Sequence, residues 1–375
     1  MNAGAAMTDP FMRIEMLPAL HGDCLLVEYG DARRTRRVLI DGGPIGAFGA
    51  LQARFDALPP GNRRFELVVL SHVDTDHIDG LVKLFAQPVP WPFVVRDVWF
   101  NGWRHLERTH GLLGGKQGEY FSALLARRLD PGSWNGAFGG QPVVVRDDAP
   151  LPEHTLAGGM KLTLLSPTVP KLEKMRDAWR KDIGDAIDPG DLDAAWDLLA
   201  RQKRYLPGQG LLGSTPALDA LLEKQSRPDN AAANGASIAF LAEFGDKRCL
   251  FLADAHPDAV CASLERLLQA RGLERLRVDA VKVSHHGSKG NTTDALMALI
   301  DCPRFLFSTN GAQFGHPDAE AVQRVIARSV RPHPTLYFNY LTDRNREWQN
   351  PALQQTLDYS AEFNTGKDRP LVVTL

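Results

Sequence analysis

The chain has 375 residues, of which 44% are hydrophobic and 23% are charged, and its formal net charge at pH 7 is -2. This balance excludes a disordered protein, and the near-neutral charge excludes a protein that coats nucleic acid through overall basicity. No apolar run reaches the roughly 18 residues that a transmembrane helix needs, so no membrane partner is predicted.

The cysteines and the first residues indicate where the chain works. The four cysteines, at positions 24, 249, 261 and 302, are far apart and form no Cys-x-x-Cys pair. This spacing is typical neither of a disulfide framework nor of a thiolate zinc site, and it favours a reducing, cytoplasmic location. Residues 1–11 have neither a basic start nor an apolar core, so they predict a disordered leader and not a secretory signal. Residues 12–375 are predicted to form a single domain.

The first hundred residues are predicted to be rich in β-strands. Apolar and alternating runs, separated by turn residues, predict strands at 12–18, 24–29, 36–40 and 66–70. The run at 66–70 is followed directly by the polar sequence SHVDTDH at 71–77, and then by apolar residues at helical spacing until Pro88. The polar cluster therefore lies on a strand-to-helix loop, where α/β folds tend to carry their chemistry.

Two segments differ in character and are interpreted as insertions into the domain. Residues 102–141 are rich in Gly and Trp, with one helix predicted near 120–128. Residues 168–230 are charged and helix-periodic, and they are interrupted by Pro207, Gly208 and Gly210. The second insertion is interpreted as a substrate lid, a homodimer contact or a docking surface for a partner protein, and the sequence does not separate these roles.

Strands and helices alternate through the rest of the chain. Strands are predicted at 143–145, 161–165, 237–242, 248–252, 279–283, 304–307 and 371–375. Helices are predicted at 257–270, 292–300 and 317–327, the last with Pro317 at its first position. Two β-rich halves that are edged by helices predict an α/β fold arranged as an αββα sandwich with helical insertions.

Polar residues at three strand ends predict a metal site. The first strand end supplies four potential ligands within six residues: His72, Asp74, Asp76 and His77. Imidazole and carboxylate groups together suit Zn²⁺, Mn²⁺ or Fe. Asp254 follows the run at 248–252, and His285 with His286 follow the run at 279–283. The three strand ends together predict a site for two divalent metal ions.

The motifs in this order are similar to those of a known group of enzymes. They are HxDxDH at 72–77, LFLADA at 250–255, KVSHHGS at 282–288 and GHP at 315–317, preceded by LxxxHGDCLLVEYG and VLIDGG between residues 17 and 43. In these motifs the chain resembles the metallo-β-lactamase-fold hydrolases, and within them the C-terminal nuclease-like domain of the ComEC-type competence proteins. The resemblance covers most of the chain outside residues 1–11 and the two insertions.

The resemblance implies a role for each metal ligand. It implies that one metal is bound by His72 and Asp74, that the other is bound by Asp76, His77 and His285, and that Asp254 bridges both. The family's third-motif histidine has no counterpart, because residues 234–237 read Asn-Gly-Ala-Ser. The first metal site is thus richer in oxygen, which favours Mn²⁺ over Zn²⁺ or leaves the site weakly occupied.

Residues around these ligands are further catalytic candidates: Asp76, His286, His316 and Lys289. Lys289 would neutralise a phosphate, although a solvated loop lysine is the alternative. His316 directly precedes a predicted helix, whose first N–H groups could face an anion, and a simple helix cap is the alternative. Asp23 and Asp41 lie at strand ends and are interpreted as structural residues that hold loops.

The predicted function follows from a two-metal site. Two divalent cations lower the pKa of a bridging water and clamp the attacking and leaving oxygens, which suits hydrolysis and above all phosphodiester cleavage. We therefore predict a metal-dependent hydrolase, a phosphodiesterase or nuclease with DNA or RNA as substrate, on the strength of the resemblance. Two alternatives stay open: hydrolysis of a small ester, thioester or lactam, and a scaffold protein whose metal site is impaired.

Overall fold

The computed structural model describes residues 10–31, 33–106, 116–183, 187–206, 231–366 and 368–375. The predicted leader, apart from its last two residues, and residues 207–230 of the second predicted insertion lie outside these ranges. None of the described helices combines the length and the apolarity that a segment needs to cross a lipid bilayer.

The strands are named in chain order. Those of the first half are β1 (Phe11–Met16), β2 (Leu25–Gly30), β3 (Thr35–Ile40), β4 (Arg64–Phe65), β5 (Leu67–Val69), β6 (Val94–Val95) and β7 (Val98–Trp99). Those of the second half are β8 (Glu153–Thr155), β9 (Lys161–Ser166), β10 (Ala239–Phe244), β11 (Lys247–Phe251), β12 (Leu276–Arg277), β13 (Ala280–Lys282), β14 (Ile300–Asp301), β15 (Arg304–Phe307), β16 (Thr335–Phe338), β17 (Ser360–Phe363) and β18 (Leu371–Thr374).

The helices are named in the same way. They are α1 (Phe48–Asp56), α2 (Thr75–Phe85), α3 (Trp103–Leu106), α4 (Lys116–Arg128), α5 (Val169–Ile183), α6 (Leu192–Leu199), α7 (Ala231–Gly235), α8 (Pro257–Arg271), α9 (Asp294–Leu299), α10 (Ala319–Arg328) and α11 (Pro351–Leu357). Helix α8 ends one residue beyond the predicted position 270, because Gly272 adopts a left-handed conformation (φ 64°) directly after Arg271.

Two large sheets organise the described residues. The first has the strand order β18-β1-β2-β3-β5-β7, and the second has the order β17-β16-β15-β13-β11-β10-β9-β8. Strands β3, β5 and β7 are parallel in the first sheet. Strands β11, β13, β15, β16 and β17 are parallel in the second. The carboxyl ends of these parallel strands supply the loops at which the site residues meet.

The side chains of each strand alternate between two cores. On β2, Leu25, Val27 and Tyr29 pack into a core between the two sheets, where residues of the second sheet such as Phe251 meet them. Leu26 belongs instead to an outer core that covers the first sheet with α1, α2, α4 and α5. A third core covers the second sheet with α8, α9 and α10. The predicted α/β fold, an αββα sandwich, is therefore confirmed.

The described parts of the two segments predicted as insertions pack on each other and on α2. Trp179 of α5 donates a hydrogen bond from Nε1 to Oε1 of Glu119 on α4, at 2.7 Å. A Cβ atom at Gly118 would lie 2.2 Å from the Trp179 ring, so only glycine fits below this tryptophan. The hydroxyl of Tyr205 donates to the carboxylate of Asp79 on α2. The described part of 168–230 thus packs on α2, the helix that carries Asp76 and His77. Its role as a lid, a dimer contact or a docking surface stays a prediction.

Two predicted elements differ from the structure for local reasons. Residues 143–145 form only an isolated bridge, because the N–H and C=O of Val143 both bond the side-chain amide of Asn101. The helix predicted at 317–327 begins at Ala319, so Pro317 is not its first residue. The backbone of Asp318 is held extended, since its N–H donates to the carbonyl of Gly287 at 2.9 Å.

Candidate metal centre

The predicted ligands converge at the carboxyl ends of the parallel strands. His72 lies on the loop after β5, whereas Asp76 and His77 lie in the first turn of α2. Asp254 follows β11, and His285 and His286 follow β13. All of these side chains are buried, so two sheets that are far apart in sequence build one enclosed cluster.

Asp254 lies at the centre of this cluster. Its Oδ2 atom is 3.5 Å from Nε2 of His286, 3.6 Å from Nε2 of His77, 3.8 Å from Nε2 of His285 and 4.0 Å from Nε2 of His72. Four imidazoles therefore surround one carboxylate oxygen at distances that leave room for a cation between them.

Asp76 adds a second carboxylate on one side of the cluster. Its Oδ2 atom is 3.5 Å from Nε2 of His286 and 3.8 Å from Nε2 of His77. The ligand atoms of Asp76, His77 and His286 all lie within 4.8 Å of one another, as do those of His72, His77 and Asp254. These are two of four overlapping groups that the described residues form, and the other two include Asp23. Each has a composition that suits a divalent ion.

Asp74 lies at the margin of the cluster. Its Oδ2 is 3.6 Å from Nε2 of His72, and about a quarter of its side chain (23%) is exposed. Burial raises the pKa of Asp74, and the neighbouring His72 only partly offsets this rise. Asp74 is not a member of the two groups above, so the structure brings it beside His72 without enclosing it.

The rear nitrogens of the imidazoles are hydrogen bonded while the front nitrogens of three of them are not. Nδ1 is 3.0 Å from the Ser71 hydroxyl in His72, 2.9 Å from Oδ2 of Asp41 in His77, and 2.8 Å from the carbonyl of Ser308 in His286. Nε2 of these three histidines is buried without a hydrogen-bond partner among the described residues. This pattern, a bonded rear nitrogen and a bare inward one, is how metal-binding histidines are held. The residues therefore fit a metal.

The charges in the cluster depend on one another. Burial would lower the pKa of His77, yet the carboxylates of Asp254, Asp76 and Asp41 raise it well above its ordinary value. Burial would raise the pKa of Asp254, yet the imidazoles of His286, His77 and His285 hold it well below its usual range. The pKa of His286 is raised by Asp254 and Asp23 in the same way, so protons on His77 and His286 balance the carboxylates and a divalent ion would displace them as it binds.

Backbone strain is concentrated around the same atoms. Asp41, Ala253, His285 and His286 all have positive φ values between 45° and 60°. Such conformations are unfavourable for residues other than glycine, and several of them together often mark a functional site. Among the described residues, four others lie elsewhere: Leu20, Asn135, His333 and Asp358. The loop between β1 and β2 is also constrained, because a Cβ atom at Gly22 would lie 1.8 Å from the carbonyl oxygen of Asp76.

His285 and His316 form the rim of the cluster. Their rings meet edge to face with centroids 5.1 Å apart. Nδ1 of His285 is 3.2 Å from Oδ1 of Asn291, whose Nδ2 donates to the carbonyl of Ala255 at 3.1 Å. Because the amide nitrogen of Asn291 is committed to that carbonyl, its Oδ1 accepts from His285, which leaves Nε2 of His285 without a proton when the ring is neutral.

Lys289 is not brought to the cluster, whereas an unpredicted arginine lies near its rim. The Nζ atom of Lys289 pairs with Oε1 of Glu320 at 3.0 Å, and both side chains are more than half exposed. A Cβ atom at Gly315 would lie 3.0 Å from Nη1 of Arg344, so this guanidinium lies against the loop that carries His316. No motif in the sequence pointed to Arg344.

Sequence reasoning also missed the residues that support the histidines. Ser71, Ser308 and Asn291 bond the rear nitrogens, and Asp41, interpreted as a structural residue, bonds His77. Lys282 was treated only as part of a strand, although a lysine within an apolar strand is itself a signal of a buried partner. Nothing in the sequence around Ser71, Ser308 and Asn291 indicates such a contact, because the folded structure places each of them beside its histidine.

In the comparisons with known proteins, the chain is similar only to solved structures. No protein-family model matches the chain, and no curated protein matches it. The metallo-β-lactamase fold protein YhfI from Bacillus subtilis has 13% identity and a TM-score of 0.40, over 98% of this chain and 100% of its own. Zn²⁺-bound PqqB from Methylobacterium extorquens has 11% identity and a TM-score of 0.37, over 95% and 88%. A diphosphatase of the PhnP family has 14% identity and a TM-score of 0.35, over 97% of each chain. At these scores the likeness supports no statement about activity.

Proposed function

We propose that the chain is a metal-dependent phosphodiesterase whose substrate is a nucleic-acid strand. The observation that carries this proposal is the set of three buried imidazoles, of His72, His77 and His286, whose unbonded Nε2 atoms face Asp254. A buried polar atom without a partner is costly, and a metal ion would remove that cost. A scaffold protein would have no use for such a cluster.

In this proposal two divalent ions share the cluster. One is held by Asp76, His77 and His286, the other is held by His72 and Asp74, and Asp254 contacts both. His286 takes the ligand role that the sequence assigns to His285, because Nε2 of His286 lies 3.5 Å from carboxylate oxygens of both Asp76 and Asp254. When bound, the ions would lower the pKa of a shared water and offset the charge of a phosphodiester.

His285 and His316 are proposed to contact the substrate. Asn291 holds His285 with Nε2 toward the cluster, where it can accept or deliver a proton at the reacting phosphate. His316 packs on the outer edge of this ring, and burial lowers its pKa, so it is neutral at pH 7. A neutral imidazole at this position can donate one hydrogen bond to a phosphate oxygen without repelling the metal ions.

Arg344 is proposed to bind a flanking phosphate in place of Lys289. Its guanidinium lies against Gly315, next to His316, whereas Lys289 is engaged by Glu320. Arginine binds phosphate oxygens through two parallel N–H groups, which suits it to hold a strand in register. The resemblance of the motifs to the nuclease-like domain of the ComEC-type proteins supports nucleic acid over a small ester.

The test compares substrates and metals on one preparation. Metal-free protein is reconstituted with Mn²⁺, Zn²⁺ or Fe²⁺ and assayed on single-stranded DNA, RNA, a small chromogenic phosphodiester, a carboxylic ester and a β-lactam. We expect phosphodiester cleavage, with Mn²⁺ at least as effective as Zn²⁺, because Asp74 supplies oxygen where a nitrogen ligand is usual in the family. Cleavage of the ester or the lactam alone would replace this proposal with the small-substrate alternative.

A further inference from the structure

Lys282 is a fully buried lysine whose charge has a specific partner. The residue lies at the end of β13 with 0% of its surface exposed. Its Nζ atom donates to Oδ2 of Asp23 at 2.6 Å and to the carbonyl of Val283 at 3.1 Å. Lysines are almost never buried without a partner, so the position demands the carboxylate of Asp23.

Asp23 in turn faces the metal cluster. Its Oδ1 atom lies 3.5 Å from Nδ1 of His286, and its backbone N–H donates to the carbonyl of Asp76 at 3.2 Å. Ligand atoms of Asp23, Asp254 and His286 lie within 4.8 Å of one another, so distance alone would also admit Asp23 as a metal ligand. Two roles are therefore possible for Asp23, a ligand or a residue that supports His286.

We propose that Lys282 is a positioning residue, whose ammonium group holds Asp23 behind His286 so that the carboxylate supports Nδ1 and does not bind metal. This inference rests on the proposed function, since it deepens the account of the same site. The ammonium occupies Oδ2, whereas Oδ1 has no hydrogen-bond partner among the described residues and faces Nδ1 of His286 at 3.5 Å. A second cation on this carboxylate would lie close to the charge of Lys282 and would be repelled.

The pair also completes the support of His286. Nδ1 donates to the carbonyl of Ser308 at 2.8 Å, and the negative charge of Asp23 on the same side favours the proton at that nitrogen. Nε2 then keeps its lone pair toward Asp76 and Asp254. Carboxylates behind metal-binding imidazoles act in this way, and their loss typically lowers metal affinity about 10- to 100-fold.

The test uses the full chain with one single and one double variant. In K282M the buried carboxylate of Asp23 loses its partner, so this variant should melt well below the wild type. In D23N/K282M both charges are removed with little change of volume, so the fold should recover. K83M is the matched control, because Lys83 is also buried but donates only to the backbone carbonyl of Arg204.

Three measurements are made on each variant: thermal unfolding, Zn²⁺ and Mn²⁺ titration against a chelating dye, and the tautomer of His286 by ¹⁵N NMR without metal, at a pH high enough for its ring to be neutral. We expect D23N/K282M to melt near the wild type, to bind the same number of ions about 10- to 100-fold more weakly, and to lose the single Nδ1–H tautomer. K83M should keep the wild-type affinity and tautomer.

Several results would overturn the inference. Wild-type affinity and tautomer in D23N/K282M would make the pair purely structural, and the loss of one bound ion would make Asp23 a ligand. A wild-type His286 that carries its proton on Nε2 would overturn the inference even if no metal bound. Failure of the proposed function is a separate result, in which the variants behave as expected but no phosphodiester is cleaved by the wild type.

Discussion

Oδ2 of Asp41 lies 2.9 Å from Nδ1 of His77, behind the metal cluster. Asp41 is fully buried, adopts a left-handed conformation, and also accepts from the N–H and the hydroxyl of Ser71 at 2.7 Å each. One carboxylate thus orients His77 of α2 and fixes the loop that carries His72. The left-handed backbone of Asp41 thus places its carboxylate where it holds the imidazole of His77.

The first prediction concerns this carboxylate. Asp41→Asn keeps the shape of the side chain but removes its charge, so the proton on Nδ1 of His77 is held less firmly. We expect affinity for Mn²⁺ and Zn²⁺ to fall about 10- to 100-fold in chelator competition, with the melting temperature of the metal-free protein changed far less. Asp246→Asn, in an exposed turn, is the control, and equal affinities in the two variants would contradict the role given to Asp41.

The second prediction concerns the central carboxylate. Asp254→Asn should abolish phosphodiester hydrolysis, because Oδ2 of Asp254 is the one atom near all four imidazoles. The fold should survive, since Asp254 lies on a loop after β11 and its volume is kept. Hydrolysis and thermal unfolding are measured on the same sample in metal-replete buffer, and full activity would remove Asp254 from the site.

The third prediction separates the two adjacent histidines. His286→Ala should bind metal weakly, whereas His285→Ala should keep its metal and lose turnover, because only His286 is within 3.5 Å of both carboxylates. Metal content after dialysis and the rate on a small phosphodiester are compared for both variants. The opposite pattern, with metal lost from the His285 variant, would restore the ligand assignment that the sequence predicts.

The fourth prediction concerns the basic residues near the rim. Arg344→Ala should slow the cleavage of DNA, because one phosphate contact is lost. The difference in rate from the wild type should shrink as the salt concentration rises, because the variant releases fewer counterions when it binds DNA. Lys289→Ala should have little effect, since Lys289 is paired with Glu320 at the surface. Rates on DNA and on a small phosphodiester are measured across a salt series. A larger loss in the lysine variant would return the phosphate-binding role to Lys289.

The fifth prediction concerns acid stability away from the site. Glu28 is buried on β2 and accepts hydrogen bonds from Arg13 and, at 2.7 Å, from Nε of Arg37. Burial alone would raise its pKa, but the guanidinium groups hold it below its ordinary value. Its stabilising effect is therefore fully present above the unfolded-state pKa of about 4.3 and is lost as the pH falls through the lower folded-state pKa.

The measurement for this prediction is urea unfolding between pH 3 and pH 7. Glu28→Gln should reduce the free energy of unfolding at pH 7 by about 3–5 kcal/mol, because it leaves the buried guanidinium of Arg37 without its carboxylate. The difference in the free energy of unfolding between the variant and the wild type should become smaller as the pH falls below 4. Glu274→Gln, at an exposed position, should follow the wild-type curve throughout. A constant difference at every pH would show that the charge of Glu28 is not what stabilises the fold.

Local patterns in the sequence were sufficient for most of the sandwich and for the residues that gather in the cluster. The HxDxDH motif spans six residues, from the loop after β5 into the first turn of α2, so its convergence needed no knowledge of distant contacts. The strands β16 and β17 were not predicted, since each has only four residues, and the sequence SAEF of β17 has no regular alternation of apolar residues. The strand predicted at 143–145 was wrong, because Asn101 bonds that backbone from 42 residues away.

The parts of the site that escaped prediction depend on long-range contacts. Lys282 meets Asp23 across 259 positions in sequence, and Ser308 meets His286 only because β15 lies beside β13. The choice between His285 and His286 depends on two consecutive left-handed residues, which no motif reveals. Spacing therefore predicts which residue types gather, whereas the fold decides which atom of each faces the metal.

The direction of the parallel strands separates the two ends of the molecule. Every proposed ligand follows a strand or begins a helix at one end, whereas the turn at 245–246 precedes β11 at the other. An attachment made at Asp246 would therefore leave the cluster facing away from its support. The protein could be fixed to a surface or fused through that turn while the opposite end, with the cluster, stayed open to a large substrate.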